Sequence, residues 1–426
     1  MSAHYDCGGT DHRVSRRRML GMLAGGAAGG AGLLQPVMAD LLRRKERQVL
    51  MIWLDGGMSQ LESWDPKPGT DTGGPFRAIP TSVPGVQISE LMPHSAKIMH
   101  KLAVVRSMST KDESHSIGVG RMQRGDPVNR GVDYPFMGSA IAKLKGPAEK
   151  GMPAYVWIKP GSSGFIWQEA GFLGAKYGAL ALGDGKAPVH IHRPESVTEE
   201  EDKTRNELRL KADARFRRGR ADSEVDAYEA SYDSAESLMR RKDLFDESRI
   251  PAKEIDRYGR HPLGRHILQS RQLLEAGVRF VKVTSYHWDT HADNFSMHRE
   301  LVPQIDRPFA ALVDDLDERG MLENVLVLLM AEFGRTPKIN QRWGRDHWPE
   351  AWSLAMAGAG LKRGIVTGKT SPDGAFVDEK PYDVGHVFHT VFRAVGIDPD
   401  KESYKHNGQT LDIARQDTGP IQEVLA

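Results

Sequence analysis

Five short runs of apolar residues, spread over the whole chain, constrain the fold more than any other feature of the sequence. Each run is rich in Val, Ile and Leu, and none of them alternates apolar with polar residues. Such runs are typical of parallel strands that helices cover on both faces of a sheet. The runs lie at residues 48–54, 102–106, 154–158, 279–284 and 325–330.

Helical patterns separate these runs, for example at residues 261–276 and 302–317, each of which ends close to a glycine. The alternation predicts an α/β sandwich with a mostly parallel sheet, whose ligand site lies beyond the carboxyl ends of the strands. Residues 193–250 break this alternation of strands and helices, because they carry many charged residues of both signs. We expect an exposed helical hairpin there, and an arm that binds nucleic acid or another protein is the alternative.

The first 39 residues resemble an export signal. Residues 15–20 read SRRRML, a Gly/Ala-rich run follows to residue 34, and residues 37–39 (VMA) supply a small-residue cleavage site. We therefore expect a twin-arginine signal at residues 1–39 and a mature domain at residues 40–426. This expectation implies the twin-arginine translocation machinery as a partner and a periplasmic or extracellular location.

An uncleaved membrane anchor is the alternative for this segment. Its apolar run falls short of the ~20 largely apolar residues that a membrane span requires. We therefore expect no stable membrane span once the signal has been removed.

Composition excludes several kinds of site. Cys7 is the only cysteine, and it lies within the predicted signal. The mature chain then has no disulfide and no thiolate metal site, so a metal would need oxygen and nitrogen ligands. The 58 basic and 57 acidic residues give a net charge of +1, which provides no field to attract nucleic acid.

Acidic and imidazole side chains follow three of the apolar runs. Asp55 begins a Gly-Gly turn after the first run, and Glu332 follows the last one. Residues 285–294 (SYHWDTHADN) place two histidines and two aspartates on one loop, and His347 lies in a later loop. Such groups are costly to desolvate unless they bind something, and a divalent cation is their natural partner. Turn capping by Asp55 and a solvated loop at 285–294 are the alternatives.

The order of these motifs resembles the alkaline phosphatase and sulfatase superfamily. Three segments more closely resemble the uncharacterised bacterial family called domain of unknown function 1501, and this likeness covers nearly the whole mature chain. They are LDGGMSQLESWDPKP, EAGVRFVKVTSYHWDTHADN and AEFGRTPKINQRWGRDHWPEAWS. The resemblance implies a three-layer α/β sandwich like that of alkaline phosphatase, with the charged helical segment as an insertion.

In that superfamily two divalent metals hold a phosphate or sulfate ester while a Ser, Thr or formylglycine attacks it. The resemblance implies one or two zinc ions, with calcium, magnesium or manganese as alternatives. The metal ligands that it implies are Asp55, Asp289, His291, Glu332 and His347. Phe333 stands where the superfamily has a histidine ligand, so the second metal position would lose a ligand.

Residues 107–115 resemble the superfamily's nucleophile loop, although Lys111 stands where a Ser or Thr is expected. Thr110 is the predicted nucleophile and Ser109 the next candidate, with His115 also assigned to catalysis. Absence of cysteine from the loop excludes a formylglycine sulfatase. Arg121 and Arg124 are candidate clamps for an anionic substrate, and positions on a surface helix face are the alternative.

Together these features predict an exported metal-dependent hydrolase of phosphate or sulfate esters, acting on a small molecule or a polysaccharide. Two alternatives remain open. One is a degenerate relative that binds or assembles outside the cell, and the other is an anchored structural protein. Elemental analysis separates them because each predicts a different metal content.

Overall fold

We describe the chain from a computed structural model, which covers residues 47–125, 131–161, 170–186, 191–218 and 223–426. The predicted signal at residues 1–39 and the predicted start of the mature domain lie outside the described residues.

An eight-stranded sheet forms the centre of the molecule, in the order β12-β4-β11-β8-β1-β7-β5-β6. The sequence of strands along the chain begins with β1 (Gln48–Leu54), β2 (Ala78–Pro80), β3 (Gln87–Ser89), β4 (Leu102–Met108), β5 (Tyr155–Ile158), β6 (Leu180–Ala181), β7 (Phe280–Ser285) and β8 (Val325–Met330). It continues with β9 (Gly334–Arg335), β10 (His347–Trp348), β11 (Trp352–Gly358), β12 (Ile365–Thr367), β13 (Lys369–Thr370), β14 (Val377–Glu379), β15 (Ser403–His406) and β16 (Gln409–Asp412).

The direction of the strands brings the predicted site residues to one edge of this sheet. β1 pairs in parallel with β7 and β8, whereas β11 runs antiparallel to both β4 and β8. The carboxyl ends of β1, β4, β7 and β8 therefore meet at the edge where β11 begins. Asp55, Asp289 and Glu332 follow three of these ends, and His347 precedes β11.

The five predicted strands are all present. β1 and β8 have the predicted bounds. Arg47 and Asp55 flank β1, whereas β8 begins after Asn324 and ends before the buried Ala331. β4 continues two residues beyond the predicted end at Arg106, because the backbones of Ser107 and Met108 also pair with neighbouring segments. Met108 pairs with Trp352 of β11, and Ser107 accepts a backbone hydrogen bond from Tyr382.

Helices cover both faces of the sheet. They are α1 (Pro93–Ile98), α2 (His115–Arg124), α3 (Met137–Lys145), α4 (Glu199–Phe216), α5 (Ser223–Arg240), α6 (Ala252–Tyr258), α7 (Pro262–Glu275), α8 (Asn294–Glu318) and α9 (Val384–Ala394). Leu50 and Ile52 of β1 pack with α1, α7 and α8, whereas Val49 and Met51 pack with α2, α3 and α9. These two cores confirm the predicted three-layer sandwich. In the part of the chain that the structure covers, we find no helix with the length and apolar character needed to cross a bilayer.

The charged segment forms two long helices, α4 and α5, which we call the charged helix pair. No side chain of α4 is buried, and its four acidic residues in the first turn suit the positive end of the helix dipole. The two helices touch where the Arg209 guanidinium lies 4.2 Å from the centre of the Tyr232 ring. The described part of the segment is thus largely helical, as the sequence predicts, and nearly all of its side chains are exposed or half-buried.

Candidate metal centre

The turn after β1 packs directly on the loop after β7. Gly56 has φ +114°, and a Cβ at this position would come within 2.5 Å of the backbone nitrogen of Asp289. Only glycine allows such an approach at low cost. The Asp-Gly-Gly sequence therefore holds the loop that carries Asp289 and His291 against the end of the central strand.

Three imidazoles surround the carboxylate of Asp289. Its Oδ1 lies 3.0 Å from Nε2 of His347 and 3.1 Å from Nε2 of His291, and its Oδ2 lies 3.4 Å from Nε2 of His115. We call these four residues the Asp289 cluster. Partial burial acts against the charge on Asp289, but hydrogen bonds from His115, His347 and Arg335 hold its pKa far below the usual value. The carboxylate is therefore ionised.

The other ring nitrogen of each histidine is held by an oxygen. Nδ1 of His347 lies 2.5 Å from the Glu113 carbonyl, and Nδ1 of His291 lies 2.7 Å from Oδ1 of Asp346. Nδ1 of His115 lies 2.9 Å from Oε1 of Glu332. With Nδ1 held in this way, each Nε2 faces Asp289, where it can donate a proton to the carboxylate or, without that proton, offer a lone pair to a cation. Histidines that bind metals are oriented in this way.

The distances within the cluster also suit a cation. Nε2 of His291 lies only 3.0 Å from Nε2 of His347, and two lone pairs this close repel unless a proton or a metal ion is shared between them. Ligand atoms about 2.0–2.1 Å from a tetrahedral ion lie about 3.3 Å from one another. Asp289 Oδ1 and the two nitrogens are 3.0–3.1 Å apart. Oxygen and nitrogen donors at this spacing fit a divalent ion such as zinc.

His115 extends this candidate site. Together with Asp289 and His347 it offers three ligand atoms that all lie within 4.8 Å of one another. The ring centres of His115 and His347 are 4.2 Å apart, so both imidazoles border the same space. The sequence predicted a catalytic role for His115, whereas its position also makes it a candidate metal ligand.

Glu332 and Asp55 lie behind the cluster. Oε1 of Glu332 accepts hydrogen bonds from Gly56 N at 2.8 Å and from His115, whereas the buried Oε2 has no partner among the residues that the structure describes. Burial raises the pKa of Glu332, the hydrogen bond from His115 acts against this rise, and the negative charge of Asp55 adds to it. Asp55 itself accepts a hydrogen bond from Trp53 Nε1 at 3.1 Å. In the described parts of the chain, neither carboxylate is hydrogen-bonded to Asp289, His291 or His347.

A family model described as "Protein of unknown function (DUF1501)" matches residues 46–425. The chain belongs to this family. No protein of curated function matches the sequence.

Solved structures similar to this DUF1501 chain include the PsFucS1 sulfatase from Pseudoalteromonas sp., which is 14% identical, with 90% of this chain and 77% of that chain covered and a TM-score of 0.39. The phosphonate monoester hydrolase of Agrobacterium radiobacter is 10% identical, with 88% and 76% covered and a TM-score of 0.39. An alkaline phosphatase from the Antarctic bacterium TAB5 is 14% identical, with 82% and 98% covered and a TM-score of 0.34. Likenesses of this size do not establish a shared activity.

The predicted nucleophiles of the DUF1501 chain lie just beyond β4. The Thr110 side chain is 1% exposed, and its hydroxyl lies 3.4 Å from Trp352 Nε1. Ser109 is half-buried, and Lys111 is exposed with φ +58°, in the left-handed region. Within the described residues, neither hydroxyl is hydrogen-bonded to the Asp289 cluster.

The two predicted substrate arginines lie on α2 and pair with carboxylates. Arg121 donates to Asp383 Oδ2 at 3.0 Å, and Arg124 donates to Asp133 Oδ1 at 3.1 Å. An anionic substrate would have to compete with these ion pairs for either guanidinium.

Arg335 and Asp346 also belong to the site, although neither is among the site residues predicted from the sequence. Asp346 fixes His291 and also accepts from Asn340 Nδ2 at 3.0 Å. Gly344 lets this loop lie against His291, since a Cβ there would come within 2.0 Å of the His291 carbonyl carbon. In the sequence, Asp346 could have been identified as a site residue because it directly precedes the predicted ligand His347. No local signal marks Arg335, because its partner is 46 residues away.

Proposed function

We propose that this DUF1501 protein is an exported, metal-dependent hydrolase of phosphate or sulfate esters. One observation carries the proposal: three imidazoles, each fixed through Nδ1, direct Nε2 towards the ionised Asp289 at the carboxyl ends of parallel strands. The motif order that resembles the alkaline phosphatase and sulfatase superfamily supports the choice of ester hydrolysis.

Asp289, His291 and His347 would hold the ion, with His115 beside them. A bound divalent ion would polarise an ester oxygen and lower the pKa of a bound water. The chain's own residues prepare this site, because Asp346 and Glu113 fix the two rings and Arg335 keeps Asp289 ionised. The partly exposed Asp289 leaves one side of the cluster open to solvent and to substrate.

Elemental analysis of the protein purified from its native compartment tests the metal, and a screen of phosphate and sulfate esters tests the reaction. We expect bound metal, turnover, loss of turnover after chelation and its return with added metal. Full metal with no hydrolysis of any ester in a broad screen would instead favour an extracellular binding or assembly protein.

Alanine variants test the source of the nucleophile, which must lie about 3 Å from the phosphorus or sulfur atom. If Thr110 attacks, Thr110→Ala abolishes turnover while the metal stays bound, and a covalent ester can be trapped on the wild type. If Thr110→Ala and Ser109→Ala are each as active as the wild type, water is the nucleophile. Burial of Thr110 means that its attack would also require a local movement.

Export through the twin-arginine pathway belongs to the same proposal, with a periplasmic or extracellular location. Changing Arg16 and Arg17 to Lys should leave the precursor inside the cell. Mature protein outside at the normal level would contradict this part of the proposal and leave the metal chemistry untouched.

A further inference from the structure

Arg335 also contacts Oδ1 of Asp289, the same carboxylate oxygen that faces His291 and His347. Its Nη2 lies 2.7 Å from Oδ1 of Asp289, and the side chain is fully buried. The guanidinium also donates from Nε to the Gly57 carbonyl, from Nη1 to the Arg345 carbonyl and from Nη2 to the Gly56 carbonyl. These hydrogen bonds fix the guanidinium group in one position, because few of its five N–H groups remain without an acceptor.

Phe333 fills the neighbouring space with an apolar ring. It is fully buried and stacks on His347, with ring centres 4.3 Å apart and planes at 29°. Its ring centre is also 5.1 Å from that of His115. The space beside these two imidazoles therefore contains an aromatic ring, which offers no donor atom to a second ion.

The charges at this edge of the sheet fit a single divalent ion. Asp55, Asp289, Glu332 and Asp346 carry up to four negative charges, and Arg335 supplies one positive charge that cannot titrate. One divalent ion would leave a single negative charge. A second divalent ion would leave an excess of positive charge beside a buried guanidinium, which is unfavourable in a partly desolvated site.

We infer that Arg335 stands in for a second metal ion, so that the Asp289 cluster is a mononuclear centre in which Arg335 positions the shared carboxylate. The inference rests on the metal centre of the proposed function, but it concerns ion number and not the substrate. Arg335 is a positioning residue, since it acts on the ion through Asp289.

The number of bound ions tests this inference without any measurement of activity. Metal-free protein is titrated with Zn²⁺ alone in a calorimeter, and the ion content is checked by elemental analysis after dialysis. We expect one ion per wild-type chain. Two ions of comparable affinity would overturn the inference, whereas no bound ion would instead overturn the metal centre of the proposed function.

A matched pair of variants isolates the charge of Arg335. Phe333→His adds a donor atom beside His115 and His347, and we still expect one ion because the guanidinium remains on Asp289. Combined with Arg335→Ser, which removes the charge, this change should raise the content to two ions. Combined with Arg335→Lys, which keeps the charge, it should leave one.

Two ions in Phe333→His alone, or one ion in a folded Phe333→His/Arg335→Ser protein, would contradict the inference. Circular dichroism establishes folding. If the serine variant does not fold, the wild type and the Phe333→His protein still decide the question.

Discussion

Two regions of this molecule are dense in charge, and they are built differently. In the charged helix pair, oppositely charged side chains lie close in sequence and face water, as in the Arg240–Glu236 pair with 71% and 47% of the side chains exposed. In the Asp289 cluster, partners come from distant segments, and His115 meets a buried Glu332 that lies 217 residues away.

This difference separates solvated charge from charge that is arranged for binding. Exposed ion pairs contribute about 0–1 kcal/mol each and need no further partner. Buried carboxylates and imidazoles are unfavourable unless hydrogen bonds or an ion compensate for lost hydration. Density of charge in a sequence is therefore weak evidence for a site, whereas charge at the ends of buried strands is stronger evidence.

The largest contrast should come from removing one charged side chain in each region. We expect His291→Ala and His347→Ala each to weaken metal binding by at least about 100-fold, because each removes a ligand from a small set. Arg240→Ala in the charged helix pair should leave the affinity unchanged. Competitive calorimetry measures all three, and full metal occupancy in both histidine variants would remove the basis for the comparison.

The second largest effect on metal affinity should come from removing a carboxylate that orients a metal ligand. Asp346→Ala frees Nδ1 of His291, and we expect metal affinity to fall roughly 10- to 100-fold. The matched control is Asp226→Ala, which removes a carboxylate 2.7 Å from Arg217 in the charged helix pair. Equal affinities for the two variants would mean that Asp346 has no orienting role.

A smaller effect concerns the pH dependence of stability in the metal-free protein. Burial acts against the charge on His115, but hydrogen bonds to Asp289 and Glu332 outweigh it and raise the pKa of His115 to about 9. A pKa that is higher in the folded state stabilises the fold fully below the unfolded value of about 6.5, and this contribution is lost as pH rises through about 9. The charged helix pair has no histidine and adds nothing in this range.

Thermal unfolding of the metal-free protein at a series of pH values measures this effect. We expect the Tm to fall by a few degrees between about pH 6.5 and about pH 9. His115→Gln should lack this part of the fall. The same slope in the variant would show that His115 is not charged in the metal-free fold.

The smallest effect should come from an exposed ion pair of the charged helix pair. Arg217 contacts both Asp226 and Glu229 at 2.7 Å, but its side chain is 37% exposed. Arg217→Ala should change the free energy of unfolding by less than about 1 kcal/mol. Chemical denaturation measures it, and a larger loss would mean that the two regions differ less than their exposure indicates.

Much of the fold could be predicted because the apolar runs are local signals. β1 and β8 are nearly continuous apolar segments, and both strands have the bounds predicted from the sequence. The placement of Asp55, Asp289 and Glu332 at one edge follows from parallel strand direction. Their proximity to one another is thus a consequence of topology that a sequence pattern can indicate.

Orientation within the site could not be predicted in the same way. Nothing in residues 107–115 indicates that Glu332 binds Nδ1 of His115, or that the Glu113 carbonyl binds His347. Arg335 appears in the sequence as an ordinary charged residue after a glycine, and only the fold buries it against Asp289. These contacts depend on long-range packing, which residue spacing does not encode.

The position of β11 has a consequence for the order of assembly. β4 joins the sheet through β11 and β12, so the strand at residues 102–108 has no place in the sheet until residues 352–358 have been synthesised and have paired with β8. His115 follows β4, whereas Asp289 and His291 follow β7. The two halves of the centre therefore come together only when the late strand closes the sheet, and capture of an ion would report that the chain has completed its fold.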